Sequence, residues 1–422
     1  MPTGSGSGSG SAAVERCARA VADWEPRVQA WTQLDLAGAA QAAARSDAAA
    51  PGPLTGVTLG VKDMFDTEDL PTEYGCRLFA GHRPRADAAT VALLRAAGAV
   101  VLGKTVTAEL ACLHPGPTRN PHRLTHTPGG SSMGSAAAVA TGMADVALGT
   151  QTAGSVIRPA SYCGVWGFKP SWGAAPVAGL KLVAPSLDTV GWFARDPALL
   201  DVVRRVLGGG PQVAPGVPPS GFALVRTPEW DLASADSRGA VEALAVVLRE
   251  RGVPVDEETG IARTAGEVGV LAGVVAAHKT VQAVETVRSL AWEHRQPAGL
   301  SDELRAVLDE AATIGPAAYE AALGRRARAL AELPALFRGA DVLIAPAATG
   351  EAPAGLGGTG DPLFARCWTL LGLPTVTVPG AIGATGLPIG VQLVGRPGAD
   401  AQLLAVARWL APNPVPTVAA RP

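Results

Sequence analysis

Two hydroxyls stand out as chemistry-bearing, Ser131 and Ser155, both inside the stretch Pro128–Ser171. Each sits in a Gly-rich turn, and between the turns lie very small residues with almost no charge. Ser135 to Ala144 is Ala-rich enough to form a helix whose backbone lies close against its neighbours. Asp145 to Thr150 reads as a short buried strand, and the turn Gln151-Thr152-Ala153-Gly154-Ser155 follows at once. A helix–strand unit with a serine turn at each end brings two distant hydroxyls to one spot. Acyl chemistry at such a spot needs a nucleophile, a base and donors for a developing oxyanion.

The stretch resembles the core of the amidase signature family, serine hydrolases that cleave carboxamides. The matching residues are Gly129 to Ser135, Gly149 to Ser155, Pro159-Ala160, Cys163-Gly164, Gly167 and Lys169-Pro170. A second block, Gly60-Val61-Lys62-Asp63, falls where that family has its catalytic lysine, and weaker agreement runs from about Val14 to Leu410. The spacing of Lys62, Ser131 and Ser155 is most similar to bacterial malonamidase-type amidases.

The resemblance implies a catalytic triad. Ser155 is the nucleophile, Lys62 the ultimate base, and Ser131 the relay between them, following a cis peptide bond from Gly130. Thr152, Ala153 and Gly154 supply oxyanion-hole N–H groups. Ser132 supports the turn, and Arg158, Gly130 and Thr150 are the expected substrate contacts. A lysine base must be a neutral amine. Its pKa of about 10.4 must fall by roughly three units, ~4 kcal/mol, to be substantially neutral near pH 7, and burial acts in that direction. The implied reaction is hydrolysis of a small carboxamide, such as a malonamate-like molecule, through an acyl-enzyme, with no metal or organic cofactor. Acyl transfer or ester hydrolysis on the same triad, and a glutaminase-like ammonia-supplying component of an amidotransferase, are the alternatives.

The chain departs from the family pattern at three positions. Met133 replaces a glycine, predicting a tighter turn or a narrower pocket. Gln151 replaces an aspartate, removing a charge beside the turn. Arg158 lies three residues after Ser155 rather than two, which makes it a candidate to hold a substrate carboxylate or a structural partner.

Three other motifs compete. Gly98 to Thr105 (GAVVLGKT) has the letters of a phosphate loop, but Ala99 to Leu102 read as a strand where a phosphate cradle needs free N–H groups. Gly130 to Gly134 (GSSMG) fits a nucleophile elbow on Ser132, but no buried strand precedes it, and its base would have to be His278 or His294. His114, His122 and His126 with Cys112 lie in a proline-broken loop and read as solvated rather than metal-binding.

These residues are positioned by alternating helices and strands. The pattern is helical from Ala12 to Ala50, then Val57 to Val61 is a strand that delivers Lys62. Asp87 is expected to cap a helix through Ala97, and Asp196-Pro197 another. Strands follow at Phe222–Arg226, Val253–Asp256, Val342–Ala345, Thr375–Val378 and Ile389–Val394, with a mainly helical segment from Ala265 to Leu336. This alternation predicts an α/β fold, and the resemblance makes it an amidase signature fold with a mixed sheet of about eleven strands covered by helices on both faces. Residues 12–411 are expected to form one domain, between a flexible Gly/Ser tail at 1–11 and a loose tail at 412–422.

The 422 residues carry a net charge of −2, and only 17% are charged, against ~25% in an average globular protein. Nothing in this favours nucleic acid. The longest apolar run, Val268 to Ala277, is far short of the ~18 residues of a membrane span. Five unclustered cysteines fit reduced cytoplasmic thiols. The expected partner is a small-molecule amide, and a homodimer is compatible with that reading.

Overall fold

Eleven strands join a single sheet in the computed structural model, which describes residues 9–211, 213, 219–259 and 269–411. They are β1 (Trp31–Leu34), β2 (Thr58–Lys62), β3 (Val100–Thr105), β4 (Val146–Gln151), β5 (Trp166–Lys169) and β6 (Thr189–Ala194), then β7 (Phe222–Val225), β8 (Val255–Thr259), β9 (Val342–Pro346), β10 (Thr375–Ile382) and β11 (Pro388–Gly395). Across the sheet the order is β1-β3-β2-β4-β6-β5-β10-β11-β9-β7-β8. β3, β2 and β4 run parallel, as do β9, β7 and β8, while every pairing from β4 through to β9 is antiparallel. The mixed eleven-stranded sheet is the one the resemblance implied.

Every residue of β2, β3, β4, β6, β9 and β11 is buried. A strand with no solvent-facing side must be covered above and below. The covering helices are α1 (Gly10–Val28), α2 (Leu36–Ala48), α3 (Ala89–Ala96), α4 (Met133–Ala140), α5 (Ile157–Cys163), α6 (Pro197–Gly208) and α7 (Ala235–Glu250). Then come α8 (Val274–Ser289), α9 (Ala291–His294), α10 (Asp302–Ala311), α11 (Pro316–Phe337), α12 (Leu363–Leu370) and α13 (Asp400–Leu410). No described helix is long and apolar enough to cross a membrane.

Several expected boundaries move. The helical reading of 12–50 hides β1, which pairs antiparallel with β3. Four residues between two helices are too few for a period-2 pattern to show. The tail expected over 1–11 ends earlier, because the Ser9 side chain caps α1 by accepting from the Ala12 N–H, and the Gly10 and Ser11 N–H groups both donate to the Asp47 carboxylate. Residues 1–8, and the tail expected at 412–422, lie outside the described residues. Asp87 does not cap α3. Its carboxylate accepts from the Glu68 N–H and pairs with Arg95 instead. Asp196 does cap α6, accepting from the Ala198 N–H.

Candidate active site

Parallel pairing of β2 with β4 sets their carboxyl ends side by side, the edge at which α/β sheets collect ligands. Lys62 is the last residue of β2 and Gln151 the last of β4. Ser131 and Ser132 immediately precede α4, whose residues Met133 to Val139 are all buried. That closeness depends on size, since a Cβ on Gly134 would lie 2.2 Å from the Ala30 carbonyl oxygen. Gly129 holds φ at +84°, a left-handed value suited to glycine. The Gly130–Ser131 peptide is cis, as the resemblance implied.

Lys62 is wholly buried, and its Nζ donates to Ser131 Oγ (2.9 Å) and Thr150 Oγ1 (2.6 Å). Among the described residues no carboxylate lies within ion-pair distance of it. Burial pulls its pKa down to about 7, against the opposing pull of Asp188. The neighbouring lysine behaves differently. Lys104, in β3, pairs with Asp63 at 3.1 Å and donates to the Phe65 carbonyl. The GKT of the phosphate-loop letters is therefore inside a strand, with its lysine committed to a buried carboxylate.

The turn between β4 and α5 is held from behind. Gln151 reaches forward, its Oε1 accepting the Val156 (2.9 Å) and Ile157 (3.1 Å) N–H groups at the start of α5. The expected loss of a charge here is thus the gain of an amide that caps a helix. The Thr152 carbonyl lies 2.9 Å from His278 Nε2, and the Ala153 carbonyl accepts from Thr369 Oγ1 at 2.8 Å. The Gly154 carbonyl accepts the Arg158 N–H at 3.0 Å. In a planar trans peptide the N–H points opposite to the carbonyl. The N–H groups of Ala153, Gly154 and Ser155 therefore face away from those three partners, and none has a hydrogen bond among the described residues. Ala153 and Ser155 both line a cavity.

That cavity, about 540 Å³, also takes in Ser131, Cys112, Arg158 and Arg366, and α8 and α10 line it with both polar residues (Lys279, Gln282, Glu310) and apolar ones (Ala283, Val307, Leu308). Ser131 and Ser155 are 3% and 8% exposed. No hydrogen bond joins their hydroxyls among the described residues. Arg158 is buried at the polar end, donating to the Gly130 carbonyl (2.6 Å), the Gly360 carbonyl (2.9 Å) and Thr359 Oγ1 (3.0 Å). Its Nε has no partner, and burial lowers its pKa to about 10. Among the described residues it forms no ion pair with a carboxylate.

Two expected substrate contacts are placed elsewhere. Gly130 uses its carbonyl to hold Arg158, and Thr150 uses its hydroxyl to hold Lys62. Met133 does not narrow the pocket. Its sulfur accepts from the Gly116 N–H and its side chain is not on the cavity wall. Ser132 is fully buried, its Oγ bonded both to the Thr150 carbonyl and to the Thr150 N–H at 3.3 Å. A buried hydroxyl already paired in this way is no elbow nucleophile. The loop histidines disperse: His122 to the Cys163 carbonyl, His126 to Thr125, His114 towards Glu303.

Sequence reasoning gave Asp188, His278, Arg366 and Thr369 no role at this turn. Asp188 accepts from Thr152 Oγ1 and from the Val183 and Ala184 N–H groups, and burial raises its pKa to about 6. None carries a local motif. Only the pairing of distant elements brings them to the turn.

Comparison with known proteins converges on one group. The Amidase family model matches residues 12–209 and 220–404. The A-type component of the glutamyl-tRNA(Gln) amidotransferase of Roseiflexus castenholzii is 34% identical over 443 residues, covering 92% of this chain and 89% of that protein. A crystallised amidase superposes with a TM-score of 0.87 at 28% identity, covering 96% of each chain. The native peptide amidase of Stenotrophomonas maltophilia gives a TM-score of 0.78 at 26% identity, over 96% of this chain and 93% of that one. The chain belongs to the amidase family and is an amide-hydrolysing enzyme.

Proposed function

We propose that the chain hydrolyses a carboxamide through an acyl-enzyme on Ser155, with Ser131 as proton relay and Lys62 as base. The carrying observation is Lys62: a fully buried amine hydrogen-bonded to two hydroxyls, with its pKa held near neutrality. Lys62 takes the Ser131 proton as Ser131 takes that of Ser155, whose Oγ bonds to the amide carbon. Negative charge on the former carbonyl oxygen meets the turn N–H groups. The proton returns through Ser131 to the departing nitrogen as the C–N bond breaks, and water then repeats the sequence on the ester. The Ser131–Ser155 hydrogen bond forms with substrate in place, where catalytic hydrogen bonds tighten.

The substrate we propose carries a carboxylate for Arg158 and a chain long enough to reach the mixed polar and apolar α8–α10 wall. A buried guanidinium bonded to carbonyls and a hydroxyl, with Nε unpartnered, is short of an anion. Malonamate, the malonamidase-type substrate, meets the first condition but leaves most of a cavity sized for a larger ligand empty. The test is ammonia release from malonamate, propionamide, hexanamide and the monoamide of adipic acid. Turnover lost in Ser155→Ala, with the adipic monoamide ahead of malonamate, is the expected result. Turnover retained in Ser155→Ala would sink the mechanism.

The likeness to amidotransferase components favours a second reading, a protein that supplies ammonia within a complex. Glutamine hydrolysis that appears only in a co-purifying complex would decide for it.

A further inference from the structure

We propose that His278 is a positioning residue for this reaction: as a neutral Nε2–H donor it pins the Thr152 carbonyl and so aims the Ala153 N–H at the substrate oxyanion. The inference rests on the acyl-enzyme reading above. It identifies the device that makes the turn work, on a helix 126 positions away in sequence.

The tautomer follows from the partners. Arg366 Nη1 lies 2.9 Å from His278 Nδ1, and a guanidinium can only donate. Nδ1 must therefore accept, which leaves the ring proton on Nε2. At 2.9 Å that nitrogen faces the Thr152 carbonyl, which can only accept. Both ends of the ring are satisfied by one neutral form, with His278 wholly buried. Burial, and then the Arg366 charge, hold its pKa at about 3, so the arrangement persists across the working pH range.

Geometry then transmits the constraint. Fixing the carbonyl of peptide 152–153 fixes its N–H in the opposite direction, and that N–H belongs to Ala153 on the cavity wall. Thr369 does the same for the next peptide, holding the Ala153 carbonyl and leaving the Gly154 N–H free. Gln151 Nε2 donates to the same Thr369 hydroxyl at 3.0 Å. Two adjacent peptides are thus held from behind by side chains of α8 and α12. Alanine at 153 is the place where this matters most. Donors are useful to a transition state only if they need not reorient during it. His278 itself sits behind the turn, so it is not a general base.

The experiment uses a fluorophosphonate probe, whose reaction needs the nucleophile and the oxyanion donors but no knowledge of the substrate. His278→Leu should lower kinact about 100-fold, the scale of one lost or misaimed oxyanion donor, with KI within about twofold. His278→Gln, whose amide NH₂ reaches a similar position, should recover most of the rate, and Ser155→Ala should not label. In wild type, ring-¹⁵N spectra should show His278 neutral and protonated at Nε2 at pH 6, whatever the Leu variant's folding. A His278→Leu rate within threefold of wild type, or an Nδ1–H or doubly protonated ring, overturns the proposal. Normal labelling of Ser155→Ala overturns the acyl-enzyme reading instead, so the two failures are distinct.

Discussion

If Lys62 is the base, the acid limb of kcat/KM must report its deprotonation, because kcat/KM follows the free enzyme. With a pKa of about 7, about half the enzyme is competent at pH 7, roughly a tenth at pH 6 and nine-tenths at pH 8. The rate at pH 8 should exceed that at pH 6 about tenfold, with a limiting slope of one below pH 6. Asp188 supplies the check on cause. It is the largest influence opposing the burial of the Lys62 charge, and an anion favours the ammonium. Removing it with Asp188→Asn makes the lysine easier to deprotonate, so the limb moves to lower pH and the tenfold ratio shrinks. The asparagine keeps a side-chain oxygen for the Val183 and Ala184 N–H groups. Ammonia release in constant-ionic-strength buffers from pH 5 to 9 measures both. A flat profile over that range, a wild-type midpoint near 4, or an upward shift in Asp188→Asn would refute the reasoning.

Lys62→Met should kill turnover yet stabilise the fold at low pH. A folded pKa near 7 lies below the unfolded value of about 10.5, so stability rises with pH between the two; the wild-type deficit is about 5 kcal/mol at pH 6 and under about 1 kcal/mol at pH 10. The gain of Lys62→Met in urea melts should therefore be larger at pH 6 than at pH 10, and equal gains at both would contradict the buried-amine account. Arg158→Gln should cost malonamate about 10- to 150-fold in kcat/KM, one charge-assisted hydrogen bond of ~1.5–3 kcal/mol, while propionamide changes little. Equal losses on both, with a lower Tm, would assign Arg158 to the scaffold.

The residues of the proposed triad were legible because each sits in a local motif, and the core strands because they are short apolar runs between turns. What escaped was non-local. His278 looked like part of an ordinary amphipathic helix, since nothing in Val274–Ser289 signals that its ring meets a carbonyl of a turn more than a hundred residues earlier. Asp188 and Thr369 are similarly silent. Gln151 was visible, but its meaning was not: read as a missing charge, it is a cap whose reach to Val156 and Ile157 depends on the turn's folded shape. Strand β1 escaped for a different reason. It is itself the edge strand, paired on one side only with β3, and its four residues follow a helix end at Gln29 with left-handed backbone.

The place of β10 beside β5 governs how the chain is made. Thr375 of β10 pairs with Lys169 of β5, about two hundred residues apart, so a ribosome adding 5–20 residues per second needs roughly 10 to 40 s to supply the partner. A half-sheet β1-β3-β2-β4-β6-β5 formed in that interval would end in a bare strand edge of unpaired N–H and C=O groups, the kind of template on which other chains add. Thr369, which steadies the Ala153 carbonyl, also emerges late. The proposed triad is complete in the chain by Ser155, but the brace on the Ala153 carbonyl cannot form until Thr369 has been made.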